Sequence, residues 1–484
     1  MRGAARAKPR THRARKTPIG FPASDESQRM YDDADLNRAT QAYRFFYPTV
    51  SGAAILRGNA DAGVVDNTVF GILDTKPRHV GFTYNSDTPY GMVQLDLSNG
   101  PFVVELPTGP LIIVAIDVNQ RWVADMGVPG PDAGKGGKHL VVGPGYKGDP
   151  PDGYHVWRST SNRLLVGVRS IPENGDVRAA MERITTIKVH PLEPAPDWTE
   201  PQWIDLTEKE QDTTPVRWED NFKYWEILND VIQTEPPFDH YRDYYGELAA
   251  LGIAKGKAFA PNGRMKGLLE KAAKLAIAQM RAQSFADRRP DRVVWDDRKW
   301  EWVGLRQEDG DFNAGTYVDL DARETWFYQA IGASPAMFRR KAGSGSLYWL
   351  GLRDKLDDYL DGENTYKLSV PLPVPGKLFW SVTVYDAETR SQIQTGQGNA
   401  ALRSMFELKD ATDRSADLYF GPTAPEGHEK HWIKTIPGKG WFAYFRIYGP
   451  EQAAFDGTWK PGDFERMPID DNSRRRLPSA RARR

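Results

Sequence analysis

From about residue 62 to residue 175, short apolar runs are cut by Gly or Pro roughly every ten residues, and that rhythm confines the stretch to a module of many short strands. MVQLDL alternates apolar and polar residues, and PFVVELP does so less strictly, so each presents one face to a core. PLIIVAIDVNQRWVADMG is almost continuously apolar and β-branched at its start, the texture of a strand buried on both faces. HLVVGPGYKGDPPDGYHVWRST and NRLLVGVRSIP continue the series. An antiparallel sandwich or jelly roll is the expected result. YKLSV, KLFWSVTVYD, ADLYFGP and GWFAYFRIYGP predict a second such module from near 310 to near 460.

Helical spacing appears elsewhere. In SDESQRMYDDADLNRATQAYRFFYP, residues Tyr31, Leu36, Ala39, Tyr43 and Phe46 recur with a helical period. Ser24, Ser27 and Gln28 offer N-cap chemistry, and Pro48 is expected to end the helix. VRAAMERITTIKVHPL starts as a helix and turns strand-like, PVRWEDNFKYWEILNDVIQ and residues 243–252 read as helices, and NGRMKGLLEKAAKLAIAQMRAQS has the strongest helical composition. The expected fold class is mainly β with helical insertions: two antiparallel sandwich- or jelly-roll-like modules joined by a helical segment. The divisions are a disordered basic tail (1–19), an N-terminal helix plus β module (20–177), a mixed helical segment (178–309), a C-terminal β module (310–466) and a second basic tail (467–484).

The 484 residues suit two to four domains. Hydrophobic residues at 40% and charged residues at 27% fit a globular chain. A net charge of −1 supplies no global field toward nucleic acid or anionic membrane, so no specific nucleic-acid partner is expected. The ends, MRGAARAKPRTHRARK and RRRLPSARARR, are basic without apolar periodicity. Absence of cysteine excludes disulfides, thiolate nucleophiles and thiolate-held metals. No run of about 18 apolar residues predicts a transmembrane helix. No signal-peptide core follows the basic start, so the sequence as it stands reads as cytoplasmic, or as exported from a different start. The 15 Trp and 20 Tyr suit oligomer interfaces and sugar-stacking surfaces as well as cores, and a homo-oligomer is expected.

Four clusters carry chemistry. YNSDTPYG (84–91) gathers Tyr84, Asn85, Asp87, Thr88 and Tyr90; it is either an Asx or Ser/Thr turn or a polar cluster at the mouth of a sandwich with Asp87 as its ionisable group. Asp117 and Arg121 lie four apart at a strand end, with Arg158 and Arg169 flanking a later strand; these form structural ion pairs or an anion-binding site. TYVDLDARETWFYQA places Tyr317, Asp319, Asp321, Arg323 and Glu324 together, as paired carboxylates or as the solvent face of a strand edge. GPDAGKGGKHLVVGPGYKG lacks phosphate-loop spacing, and His428 with His431 in HEKH lacks metal-site spacing. No metal and no cofactor is expected.

Two stretches resemble the paired domains of unknown function 1254 and 1214. The first carries an N-x-D-T-x-Y element (Asn85, Asp87, Thr88, Tyr90), a D-L-x-x-G-P element (Asp96, Leu97, Gly100, Pro101) and V-G-P-G at 142–145. The second carries the FWS-x-T-x-YD element in LFWSVTVYDAETR, then ADLYFGP and FRIYGP. The resemblance implies two-module β proteins with helical insertions, often oligomeric and often exported. This chain departs from the usual N-W-L-P element, having His431, Trp432, Ile433 and Lys434. Two functions compete. One is a cofactor-independent hydrolase or lyase acting on a polar, carbohydrate-like substrate, with Asp87, Asp117, Asp319 and Tyr317 as acid–base groups and Tyr84, Asn85, Thr88, Tyr90, Arg121, Trp122, Arg158, Arg169, Arg323 and Trp380 binding substrate. The other is a noncatalytic protein, binding a small molecule or glycan or assembling in the cell envelope.

Overall fold

The computed structural model describes residues 19–79, 81–209, 216–306, 310–338, 340–343, 345–411 and 413–468. The expected basic tails lie outside them, apart from Ile19 and residues 467–468. A long helix α1 (Ser24–Asp61) leads into the first module. There follow β1 (Val69–Leu73), β2 (Tyr90–Asp96), β3 (Phe102–Leu106), β4 (Leu111–Asp117), β5 (Trp122–Gly127), β6 (Gly137–Val142), β7 (His155–Arg158), β8 (Arg163–Ser170), α2 (Val177–Thr185), β9 (Lys188–Pro191) and β10 (Gln202–Asp205). They form a six-stranded sheet, β10-β1-β2-β8-β4-β5, facing a four-stranded sheet, β7-β6-β3-β9. Helices α3 (Lys223–Thr234), α4 (Arg242–Ala250) and α5 (Gly263–Phe285) come next. The second module comprises β11 (Trp300–Trp302), α6 (Leu320–Gln329), α7 (Pro335–Phe338), β12 (Ser346–Gly351), β13 (Tyr366–Pro371), β14 (Gly376–Asp386), β15 (Ala401–Arg403), β16 (Ser415–Gly421), β17 (Trp432–Lys434), β18 (Trp441–Pro450) and β19 (Glu465–Arg466). Its sheets are β11-β12-β18-β14-β15 and β17-β16-β13-β19.

Each module is two sheets over an apolar core. Val93, Leu95, Val104, Ile113, Val141 and Val166 fill the first, and Trp349, Leu368, Val382, Leu418 and Phe445 the second. The pairing is mainly antiparallel, but β1 with β10, β6 with β7 and β16 with β17 run parallel at sheet edges. Among the described residues no helix is long and apolar enough to cross a membrane.

A third core lies between the modules. Helices α1, α3, α4, α5 and α6 pack there against Leu73, Met92, Ile116 and Leu165 of the first large sheet and Leu350, Phe442 and Tyr444 of the second. Both large sheets are therefore covered on both faces. That is why PLIIVAID and WFAYFRIYGP are nearly continuously apolar, and all ten residues of β18 are buried.

Pro48 does not end α1, which runs on to Asp61. A mid-helix proline removes a backbone hydrogen bond and crowds the preceding turn, at about 3 kcal/mol. Here neighbouring elements compensate. Arg323 Nη1 donates to Phe45 O (2.7 Å), Tyr224 Oη to Tyr43 O (2.6 Å) and Gln120 Nε2 to Pro48 O (2.9 Å). Burial of Phe45, Phe46, Tyr47 and Val50 holds both halves of the helix in place.

Candidate functional site

The segment before β2 folds round the Asn85 side chain. Asn85 Oδ1 accepts from the amides of Asp87 (2.9 Å) and Thr88 (3.1 Å) and from Thr88 Oγ1 (3.2 Å). Its Nδ2 donates to Tyr90 Oη (2.8 Å). This is an Asx turn, a short amide standing in for a backbone turn. Thr83 enters it at φ 49°, a left-handed conformation costing a β-branched residue about 1–3 kcal/mol. Surrounding groups fix it there: its amide donates to Arg390 O (2.8 Å), its hydroxyl to Gln329 O (2.8 Å), and its carbonyl accepts from Arg446 Nη2 (2.7 Å).

All three partners belong to the second module, and so do the groups that clamp the rest of the turn. Ser381 Oγ donates to Asp87 Oδ2 (2.9 Å), Tyr385 Oη to Tyr84 O (2.7 Å) and Arg403 Nη1 to Ser86 O (2.6 Å). Arg446 Nη1 in turn donates to Tyr385 Oη (2.6 Å). The two-residue period of β14 produces this arrangement. Trp380, Val382 and Val384 enter the sandwich core, while Ser381 and Tyr385 point to the first module. The N-x-D-T-x-Y and FWS-x-T-x-YD elements are thus two halves of one interface. Asp87 is fully buried there. Burial drives its carboxyl above the ordinary range, against the opposing pull of Arg446, Arg403 and the Ser381 hydroxyl.

Beside the clamp, a cleft of about 110 Å³ separates the large sheets. Tyr84, Asn85, Tyr90 and Arg169 line it from the first module, and Tyr348, Tyr444 and Arg446 from the second. Phe82, Met92, Leu165 and Ile331 give it apolar walls. It shares Phe82, Tyr84 and Met92 as lining residues with a cavity of about 490 Å³, and Val114, Arg169 and Met337 with one of about 440 Å³. Arg169 therefore lines two of the three. Among the described residues no carboxylate lies within ion-pair distance of it. Burial disfavours its charge, but the hydroxyls of Tyr448, Tyr90 and Tyr348 more than compensate, and the guanidinium stays protonated.

The remaining residues singled out from the sequence lie elsewhere. Asp117 is buried at the end of β4, where it accepts from the amides of Asn119 and Arg121 (both 2.9 Å) and from the Thr160 hydroxyl. Burial pushes its carboxyl up to about 6. Arg121 forms a two-pronged pair with Asp311 (3.0 and 2.9 Å) and lies over the Phe238 ring. Trp122 is exposed, edge-on to Trp157, and Arg158 is exposed at the end of β7. Asp319 is no strand-edge residue; it caps α6, accepting from the Ala322 amide (3.0 Å) and from Arg306 Nε (2.7 Å). Some burial raises its pKa, but these donors bring it below the usual range. Tyr317 is 59% exposed. Arg323 is buried over the Phe45 ring, and Trp380 stacks on Phe445 inside the second sandwich. The four acid–base candidates therefore do not converge. The 84–91 turn does reach the cleft together with Trp326 of α6, but the carboxylates of the 316–324 segment do not line it.

Arg446, Tyr348 and Tyr444 were not singled out from the sequence. The available signal was an arginine midway along WFAYFRIYGP, since a charge inside a fully buried strand needs a purpose. His428 precedes and His431 ends a short 3₁₀ turn (Glu429–His431), and no group of three metal-ligating side chains occurs among the described residues.

Residues 69–191 match the family described as protein of unknown function DUF1254, and residues 345–452 match protein of unknown function DUF1214. No curated protein matches the chain. Among solved structures, the VPA0106 protein from Vibrio parahaemolyticus is 17% identical with a TM-score of 0.57, covering 90% of this chain and 100% of that one. It shares the fold. An uncharacterised protein from Burkholderia cenocepacia is 12% identical with a TM-score of 0.41, covering 92% and 97%. The chain carries a DUF1254 region followed by a DUF1214 region, the pairing whose signature elements meet at the Asp87–Ser381 hydrogen bond.

Proposed function

We propose that the protein binds a small organic anion with an apolar body in the cleft between its two modules. The observation that carries this reading is Arg169, a guanidinium lining the cleft beside Arg446, with no carboxylate within ion-pair distance among the described residues and only the longer-range charge of Asp87 acting on it. A half-buried guanidinium between apolar walls, with no carboxylate within ion-pair distance, is a receptive partner for a ligand carboxylate or phosphate, which would make a paired hydrogen bond to it. Tyrosine hydroxyls around it would orient the anion, and Phe82, Met92 and Leu165 would exclude water from the rest of the molecule. A carbohydrate-directed hydrolase or lyase has less support, because Asp87, Asp117 and Asp319 lie in three separate places and the Asp87 carboxylate is bound to Ser381 behind the cleft. Calorimetric titration with hexanoate and with hexanamide separates charge from shape. Hexanoate is expected to bind the wild type and to lose at least ten-fold in affinity in Arg169→Gln, with hexanamide weak in both. Equal binding of the two compounds, or an unaffected variant, would overturn the proposal.

A further inference from the structure

Tyr90 and Arg169 stand side by side in the cleft. They are direct partners in the antiparallel pairing of β2 with β8, so their side chains leave the same face of the sheet. Both are half-buried, and both line the cleft. The turn before β2 fixes what Tyr90 offers there. Asn85 Oδ1 is taken by the Asp87 and Thr88 amides, which leaves its Nδ2 to donate to Tyr90 Oη (2.8 Å). The Asn85 backbone amide donates to the same oxygen (3.3 Å). A phenol oxygen that accepts twice has no acceptor capacity left and one hydrogen to give. Among the described residues none accepts that hydrogen. The hydroxyl across the cleft is committed: Tyr444 Oη donates to Gln329 Oε1 (2.7 Å), whose Nε2 donates to Ser284 Oγ (2.6 Å). The Asn85 turn therefore makes Tyr90 a one-way donor beside a forked cation.

Resting on the anion-binding reading above, we infer that the ligand is a 2-oxo acid, its carboxylate paired with Arg169 and its C2 carbonyl oxygen accepting from the Tyr90 hydroxyl. A 2-oxo acid carries acceptors on adjacent carbons and no donor, which matches a guanidinium beside a donor-only hydroxyl. A 2-amino acid does not match. Its ammonium would meet the Tyr90 hydrogen and the positive charge of Arg169 and Arg446.

The test is calorimetric titration of the full chain with hexanoate, 2-oxohexanoate, 5-oxohexanoate and 2-aminohexanoate. One hydrogen bond between neutral groups changes affinity about two- to twelve-fold. 2-Oxohexanoate should therefore bind at least about three-fold tighter than hexanoate. It should exceed its isomer 5-oxohexanoate by the same factor, since that compound carries its carbonyl far from the carboxylate. 2-Aminohexanoate should bind weakest. In Tyr90→Phe the ratio of 2-oxohexanoate to hexanoate affinity should fall to about one. That variant leaves Asn85 Nδ2 without its acceptor, and if the turn then fails to fold, the ligand series on the wild type still decides the question. 2-Oxohexanoate binding no tighter than hexanoate or 5-oxohexanoate, 2-aminohexanoate matching it, or a ratio that survives in Tyr90→Phe would overturn the inference and leave the anion-binding reading standing. No binding of any of these acids would remove both.

Discussion

Replacing Arg446 by Met tests whether the two signature elements form one clamp. Arg446 is 4% exposed and donates both to Thr83 O and to Tyr385 Oη, beside the Asp87 carboxyl. Met fills most of the arginine stem, so the change removes charge and donors more than volume. A buried hydrogen bond from a charged donor contributes about 1.5–3 kcal/mol, and removing one partner of a buried charged set costs about 3–5 kcal/mol. The two terms overlap, so the expected loss is about 3–5 kcal/mol rather than their sum. It should fall on the module interface, because Thr83 would keep its strained backbone and lose the charged donor on its carbonyl, keeping only the longer bond from Tyr385 Oη (3.3 Å). Asp87→Asn in the Arg446→Met background removes the carboxylate that has lost the first of its three arginines, Arg403 and Arg169 remaining. It should restore about 1–3 kcal/mol relative to additivity. Urea unfolding followed by tryptophan fluorescence, with the slope compared across all four proteins, reads these quantities. An Arg446→Met loss under about 1 kcal/mol, or a strictly additive double variant, would refute the clamp.

Asp117 gives a pH dependence. Its folded pKa of about 6 lies above the ordinary aspartate value of 3.8, so the folded state holds the proton more tightly. Its contribution is fully present below about 3.8 and is lost as pH rises through about 6, by roughly 3 kcal/mol at most. Asp117→Asn should flatten the decline in stability between pH 4 and pH 7; an unchanged profile in thermal unfolding would show that Asp117 is not its source. His139 runs the other way. Burial lowers its pKa to about 4, so stability should fall as pH drops from about 6.5 toward 4, and His139→Gln should blunt that fall in the same scans. Gly52→Ala sets propensity against packing. Alanine favours the helix by about 1 kcal/mol, but its Cβ would sit 2.5 Å from Val118 O, and overpacking of that kind costs about 1–3 kcal/mol. Net destabilisation in urea unfolding is expected, and a more stable variant would contradict the close approach of α1 to the β4–β5 turn.

Much of the architecture was legible because periodicity reports which faces are covered. The unbroken apolar start of PLIIVAID anticipates a sheet buried on both sides, and the alternation in KLFWSVTVYD anticipates β14. The same alternation misassigned Trp380, since period two places it on the face opposite Ser381, and choosing which face meets the first module requires the tertiary fold. Pro48 misled for a related reason. Its helix is held by Arg323, Tyr224 and Gln120, which lie far away in the chain. Of the candidate site, the turn residues and Arg169 could be found locally. Arg446 could not be placed beside them without knowing that the two modules pack face to face. Asp117 and Asp319 drew notice as clustered charges, but each caps its own local backbone, a use that sequence spacing does not distinguish from catalysis.

The central claim is that the intermodule cleft is a binding site organised by Arg169. A crystal structure of the protein soaked with hexanoate tests it most directly. The account predicts a carboxylate within hydrogen-bond distance of the Arg169 guanidinium and a methylene chain running past Phe82 and Met92. Ligand density at another surface, with the cleft filled by ordered water, would contradict it.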